Sequence, residues 1–313
     1  MTITGGAGEG TFDGNGPAWW GYVKYVELTN HRPILLRVKG ATGLLLERAR
    51  FVDAPRFNFY GDALDGVEIR HCAVDASRAA DPAGNSAWDL AAFNTDGFDV
   101  SGRNVWIHDV RIWNQDDCIA VKRDAEDMLF ERIEASGLGL SIGGIGHAHV
   151  VRNITFRDAT MRETVKGIYI KVTSAGPTIR DVLYQNVTMH EPSGWPIWIG
   201  PAQQAISANP CHAAPCSLCW PDVPFTECNM PAATFANITL RDIYINKPQK
   251  SPGVILGNET LRMENIVFDN VVVTEPGDSP WGDDYYYCEN VQDGVATGGT
   301  WPVPPCFEDR TSR

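Results

Sequence analysis

Seven stretches of the chain share one eight-residue pattern, apolar at the first, third, sixth and eighth positions, with mostly His, Asp or Asn at the fifth. They fall at 67–74, 105–112, 128–135, 154–161, 182–189, 238–245 and 266–273, so successive starts lie 38, 23, 26, 28, 56 and 28 residues apart. Within each unit the alternation has the period of two expected of a strand. It slips by one residue at the polar fifth position, as two short strands meeting at a bend require. A unit that returns every ~20–30 residues marks a solenoid. Short β-branched coils joined by glycine-rich bends predict an all-β fold, a single-stranded parallel β-helix. A propeller, with four strands per blade of ~40–50 residues, does not fit that period. His71, Asp109, Asp158, Asn186, Asp242 and Asn270 are expected to stack as a hydrogen-bonded ladder down one corner, broken by Arg132.

No charge run or Pro/Ser-rich linker divides the 313 residues, so they read as one elongated domain over 1–313. The interval 200–235 reads as a loop thrown out from one coil. The tail 276–313 is expected to pack over the end of the stack, where an open solenoid exposes unpaired strand edges. The formal charge of −13 excludes a nucleic-acid partner, which needs a basic footprint. No apolar run approaches the ~20 residues that span a bilayer, so no membrane role and a monomer are expected. The glycine-rich segment 5–16 lacks the strand–turn–helix setting of a phosphate loop.

Eight cysteines point to an oxidising, extracellular compartment. Disulfides are expected in the loop holding Cys211, Cys216, Cys219 and Cys228 and in the tail holding Cys288 and Cys306, with Cys72 and Cys118 free and buried. Zinc in the loop is the weaker reading, because the spacing lacks paired C-x2-C knuckles. The start, MTITGG, has neither the basic opening nor the apolar core of a signal peptide, so a leader was removed or the sequence begins late.

Candidate chemistry centres on 94–122, NTDGFDVSGRNVWIHDVRIWNQDDCIAVK. It carries Asp96 with Asp99 and, twenty residues on, Asp116 with Asp117. Neighbouring coils stack ~4.8 Å apart, so the two clusters would share one surface patch. Crowded carboxyls cannot all ionise, and such a site holds a protonated acid beside an ionised base, the pair that hydrolyses glycosides. Laying the coils over one another puts Asp96, then Asp116 and Asp117, Leu138, Tyr169 with Lys171, and Trp198 in one column. Asp96, Asp116 and Asp117 are the catalytic candidates; Lys171, Tyr169 and Trp198 are the substrate-binding ones. Asp99, close to Gly97, reads as a turn-fixing residue.

These residues resemble the polygalacturonase family, glycoside hydrolase family 28. Asn94-Thr95-Asp96 matches its NTD motif, Asp116-Asp117 its DD motif, Gly137-Leu138-Gly139 its G-H-G motif and Tyr169-Ile170-Lys171 its R-I-K motif. GNGPAWW, RPILL and APRFNF extend the likeness over about 12–273. The resemblance implies a right-handed β-helix, no metal or other cofactor, and inverting hydrolysis of α-1,4-galacturonan or a related acidic pectic polysaccharide. Asp116 would be the general acid, and Asp96 and Asp117 would activate water, with the ~6.5–9.5 Å carboxyl separation that a single displacement needs. It also implies coils and a cap before the GNG region, so the chain reads as truncated at its start.

The departures bear on substrate. Leu138 replaces the histidine that helps hold the acids' protonation state. Tyr169 replaces an arginine that would grip a sugar carboxylate in bidentate fashion. Glu134 stands where many members carry a cysteine, which leaves Cys118 unpaired. A relative acting on rhamnogalacturonan or another acidic polysaccharide is therefore the alternative. Two further rivals are a calcium-dependent pectate lyase and a catalytically weak wall-binding protein.

Overall fold

The computed structural model describes residues 1–8, 10–20, 31–76, 92–204, 218–223 and 226–312. Its strands pair in parallel throughout one sheet, as a parallel β-helix does. Every repeat start read from the sequence is in register with the next: Val67 with Val105, Val105 with Met128, Met128 with Ile154, Ile154 with Val182, Val182 with Ile238 and Ile238 with Ile266. The double-length interval before Ile238 thus hides no missing coil. Strand Thr178–His190 pairs directly with Thr234–Asn246.

The alternation works because each inward position meets its equivalents above and below. Val67, Ile69, Cys72 and Val74 are buried in one coil, Ile154, Phe156, Ala159 and Met161 in another. Phe130, Phe156 and Tyr184 stack on successive coils at 4.6 and 4.7 Å between ring centroids, an offset-stacking distance. The bend residues His71, Asp109, Arg132, Asp158, Asn186, Asp242 and Asn270 all take positive φ between 52° and 60°, the left-handed turn that splits each unit into two strands. Asn186 donates to Asp158 at 2.7 Å and Asn270 to Asp242 at 2.8 Å, so the corner ladder forms. Arg132 does not break it. Its Nε donates to Asp109 at 2.9 Å, a charged rung in place of an amide one.

A second corner ladder went unforeseen. Asn104, Asp127, Asn153, Asp181, Asn237 and Asn265 also have positive φ, and Asn104, Asn153, Asn237 and Asn265 each donate to Asp65, Asp127, Asp181 and Asn237 respectively. It lies just before each repeat unit, where the apolar pattern has no polar marker of its own.

The tail extends the stack instead of lying across it. Tyr286–Glu289 pairs with Gly253–Leu256, Val295–Gly298 with Met263–Thr274, and Glu308–Thr311 with Val295–Gly298. Phe307 packs on Phe268 at 5.0 Å. Cys219 bonds Cys228 and Cys288 bonds Cys306. Cys211 and Cys216, and much of the 200–235 loop, lie outside the described residues. No helix is long and apolar enough to cross a membrane.

Cys72 and Cys118 are free and buried. Burial pushes the Cys72 thiol up to about 11 and the Cys118 thiol higher still, which removes the reactive thiolate. A disulfide-exchange reagent is therefore expected to leave both untouched in the native protein and to label both after unfolding. Labelling of either in the native state would contradict this packing.

Candidate active site

The stack carries the acids to one place. Gly97 N–H donates to Asp117 O at 2.9 Å, and Asn58 N–H donates to Asp96 O at 2.8 Å, which ties three consecutive coils at this level. Gly97 is required there, since a Cβ would come within 2.3 Å of Cys118 O. Asn114 Nδ2 bridges Thr95 O and Asp117 O, both at 2.9 Å, and joins the NTD and DD turns. Asp116 Oδ2 accepts Asn94 N–H at 2.8 Å, and Asp116 Oδ1 accepts Asp117 N–H at 2.8 Å. Asp96, Asp116 and Asp117 converge, each offering a carboxylate oxygen within 4.8 Å of the others.

Such a spacing between single oxygens, one from each carboxyl, suits a water shared by two of the acids. Two oxygens 4.8 Å apart can each take a hydrogen bond of ~2.8 Å from one water at an open angle.

The three carboxyls are held in different states. Burial penalises the Asp117 charge, yet Lys171 and Lys122 outweigh that penalty and hold its carboxyl below the usual range. Lys171 Nζ lies 2.8 Å from Asp117 Oδ2, and Ser141 Oγ donates to Asp117 Oδ1 at 2.5 Å. Gly143 makes this possible, because a Cβ there would meet Lys171 Cγ at 2.4 Å. Burial and the neighbouring Asp117 charge push Asp116 up. Burial, with Asp99 and Asp116, pushes Asp96 well up against the pull of Lys122.

The single predicted column divides in two. On the turn side Leu138 N–H donates to Asp116 O at 2.7 Å, and Lys166 N–H donates to Leu138 O at 2.8 Å, so Lys166 follows Leu138. On the sheet, Asp99, Ala120, Ser141, Tyr169 and Trp198 run in register. Trp198, a substrate-binding candidate, lies away from solvent. The ring is fully buried, its Nε1 donates to Pro201 O at 2.8 Å, and it packs on Trp195 and Tyr169, leaving no face for a sugar. Tyr169 is buried too, its hydroxyl accepting Gln203 N–H at 3.1 Å. Lys171 sits against Asp117 and over the Tyr169 ring, so its charge is already engaged.

Around the acids, Lys122, Lys166 and Arg32 escaped the sequence reading, and Asp99 was given a lesser part than it has. Asp99 is fully buried and paired with Lys122 at 3.1 Å, so it does more than fix a turn. Lys166 is buried among Tyr169, Trp195 and Trp198, and burial, with the Lys171 charge, brings it down to about 7. Arg32 is buried over Phe93, and burial with the Arg56 charge lowers it to about 10, while Asp116 and Asp96 pull it back up. The one available signal was the RPILL likeness, which pointed to the segment holding Arg32.

The profile of the glycosyl hydrolases family 28 matches residues 1–297. "Rhamnogalacturonase A" of Aspergillus aculeatus is 30% identical over 172 residues, 55% of this chain and 36% of that protein. "Polygalacturonase" of Cryptomeria japonica is 26% identical over 246 residues, 75% of this chain and 45% of that protein. The chain thus spans 35–36% of the length of the first rhamnogalacturonases it matches. Among solved structures, the endo-xylogalacturonan hydrolase of Aspergillus tubingensis superposes with a TM-score of 0.63 at 19% identity, covering 100% of this chain and 77% of the other. At that identity the likeness speaks to the fold.

Proposed function

Because the chain belongs to the glycosyl hydrolases family 28, we propose that it hydrolyses a pectic polysaccharide, with a decorated or rhamnose-containing galacturonan preferred to plain galacturonan. The observation that carries this reading is the convergence of Asp96, Asp116 and Asp117, with Lys171 2.8 Å from Asp117 holding that carboxyl below the usual range while burial and the Asp117 charge raise Asp116. Asp116 gives its proton to the glycosidic oxygen as the bond to the anomeric carbon breaks. Water bonds to that carbon and passes its proton to Asp117, with Asp96 ordering the water. Each of the three acids thus has a part.

The preference follows from the departures. Tyr169 is buried and cannot supply the missing arginine fork, and Lys171 is engaged by Asp117. A galacturonate carboxylate would therefore find no free bidentate partner among those two residues, and a lost charged hydrogen bond costs ~1.5–3 kcal/mol, or ~10–10²-fold. The rhamnogalacturonases among the sequence relatives support the same preference by their names. The disulfides support an extracellular setting, and we propose a monomer.

The test is a reducing-end assay on polygalacturonate, rhamnogalacturonan and xylogalacturonan side by side. At least ~10-fold faster release from a decorated substrate is expected. Equal or faster cleavage of plain polygalacturonate would refute the preference, and absence of cleavage on all three would leave the wall-binding alternative standing. Proton NMR of the first product's anomeric centre checks the single displacement: inversion is expected, and retention would make Asp96 or Asp117 a nucleophile and refute it.

A further inference from the structure

Beneath Asp96 lies a second carboxyl to which the proposed mechanism gives no part. Asp99 is fully buried, in sheet register between Tyr60 and Ala120. Lys122 Nζ sits 3.1 Å from Asp99 Oδ2 and 3.6 Å from Asp96 Oδ2, and 5.7 Å over the Phe57 ring. Apart from that cation, neither Asp99 oxygen nor Asp96 Oδ1 meets an N–H or O–H donor among the described residues. Lys122 thus stands between two buried carboxyls, and one ammonium cannot neutralise two carboxylates, so a proton on one of them relieves the repulsion.

The other cations are placed elsewhere. Lys171 is paired with Asp117, Lys166 lies among Tyr169, Trp195 and Trp198, and Arg32 acts on Asp96 and Asp116 from farther off. Among the described residues Lys122 is the one cation within 4 Å of the Asp96–Asp99 pair, and two buried carboxylates against one ammonium favour one retained proton. Lys122 lies nearer Asp99, which favours the charge there and the proton on Asp96.

We propose that Asp99, with Lys122, is a positioning residue that keeps one proton on the Asp96–Asp99 pair, so that Asp96 orders the water as a neutral acid and Asp117 alone receives the water's proton. The proposal rests on the hydrolase reading for its catalytic meaning, but not for its proton. Asp99 itself forms no bond to substrate. The raised levels of both carboxyls, Asp99 up to about 6 by burial against Lys122, agree with the shared proton.

The experiment is infrared difference spectroscopy of the protonated carboxyl stretch at pH 5, on wild type, Asp96→Asn, Asp99→Asn and the double variant, with no substrate present. Because one proton belongs to the pair, each single variant is expected to lose the same one-carboxyl band, and the double variant to lose no more. A band that survives Asp99→Asn would show Asp96 neutral without its partner, and no band lost in either single variant would show both ionised; each overturns the proposal. Should Asp99→Asn fold poorly, Lys122→Gln serves instead. Without its cation the pair keeps its proton to a pH about one to two units higher, and an unchanged titration overturns the proposal. Wild-type cleavage of the pectic panel is scored separately, so a failed hydrolase reading and a failed proton assignment are told apart.

Discussion

Asparagine in place of Asp116 is expected to lower turnover on the cleaved polysaccharide by ~10²–10⁴-fold, the usual worth of a positioned general acid. Asparagine has no proton to give the leaving oxygen at any pH, so raising the acidity should not restore activity. The fold should survive. Asp116 is only half-buried, and its Oδ1 and Oδ2 accept Asp117 and Asn94 N–H groups, one of which an amide oxygen still accepts. Losing the other acceptor costs about 1 kcal/mol, a shift of a few degrees in melting temperature. Retention of more than about a tenth of the activity by a folded variant would remove Asp116 from the acid's role.

Methionine in place of Lys171 is expected to act through Asp117. The pair is buried, with 13% of the lysine side chain and 3% of the aspartate exposed. Removing one partner of a buried pair typically costs ~3–5 kcal/mol, because the other charge is left without compensation. The sign follows from the depressed Asp117 pKa. In the wild type this carboxylate contributes stability that is present above the unfolded aspartate's ordinary value and lost as pH falls through the lower folded value. Without Lys171, burial prevails and the folded value rises, so at neutral pH the variant is less stable. The acid limb of kcat/KM should also move up, since Asp117 must be ionised to take the water's proton. Urea unfolding and a pH–rate profile check both. A rise in KM with an unmoved acid limb would instead return Lys171 to gripping the substrate's carboxylate.

The wild-type pH behaviour has two opposed parts. Asp117 favours the folded state as pH rises from the acid side. Asp96, Asp99 and Asp116, all raised, favour it at low pH and withdraw that support as pH climbs through their folded values, which for Asp99 is about 6. Under the proposed mechanism activity is expected to follow the same two opposed trends, needing Asp117 ionised and a proton on Asp116.

By itself the sequence determined the coil register and the meeting of Asp96, Asp116 and Asp117. Both follow from the backbone alone: inward apolar positions admit one register, because a one-residue slip would turn every buried side chain outward, and turns at equal points on stacked coils must lie side by side. It also isolated Cys72 and Cys118, which sit at inward, buried positions of the coils. Only the tertiary structure decided what the long side chains do. Lys122 pairing with Asp99, Lys171 with Asp117, and Lys166 lying among three aromatic rings depend on reach across coils, and on glycines such as Gly143 that leave room for it. The burial of Trp198 is another such case: its ring is covered in part by Trp195 and by Cys219 of the 200–235 loop, whose paths no repeat pattern constrains.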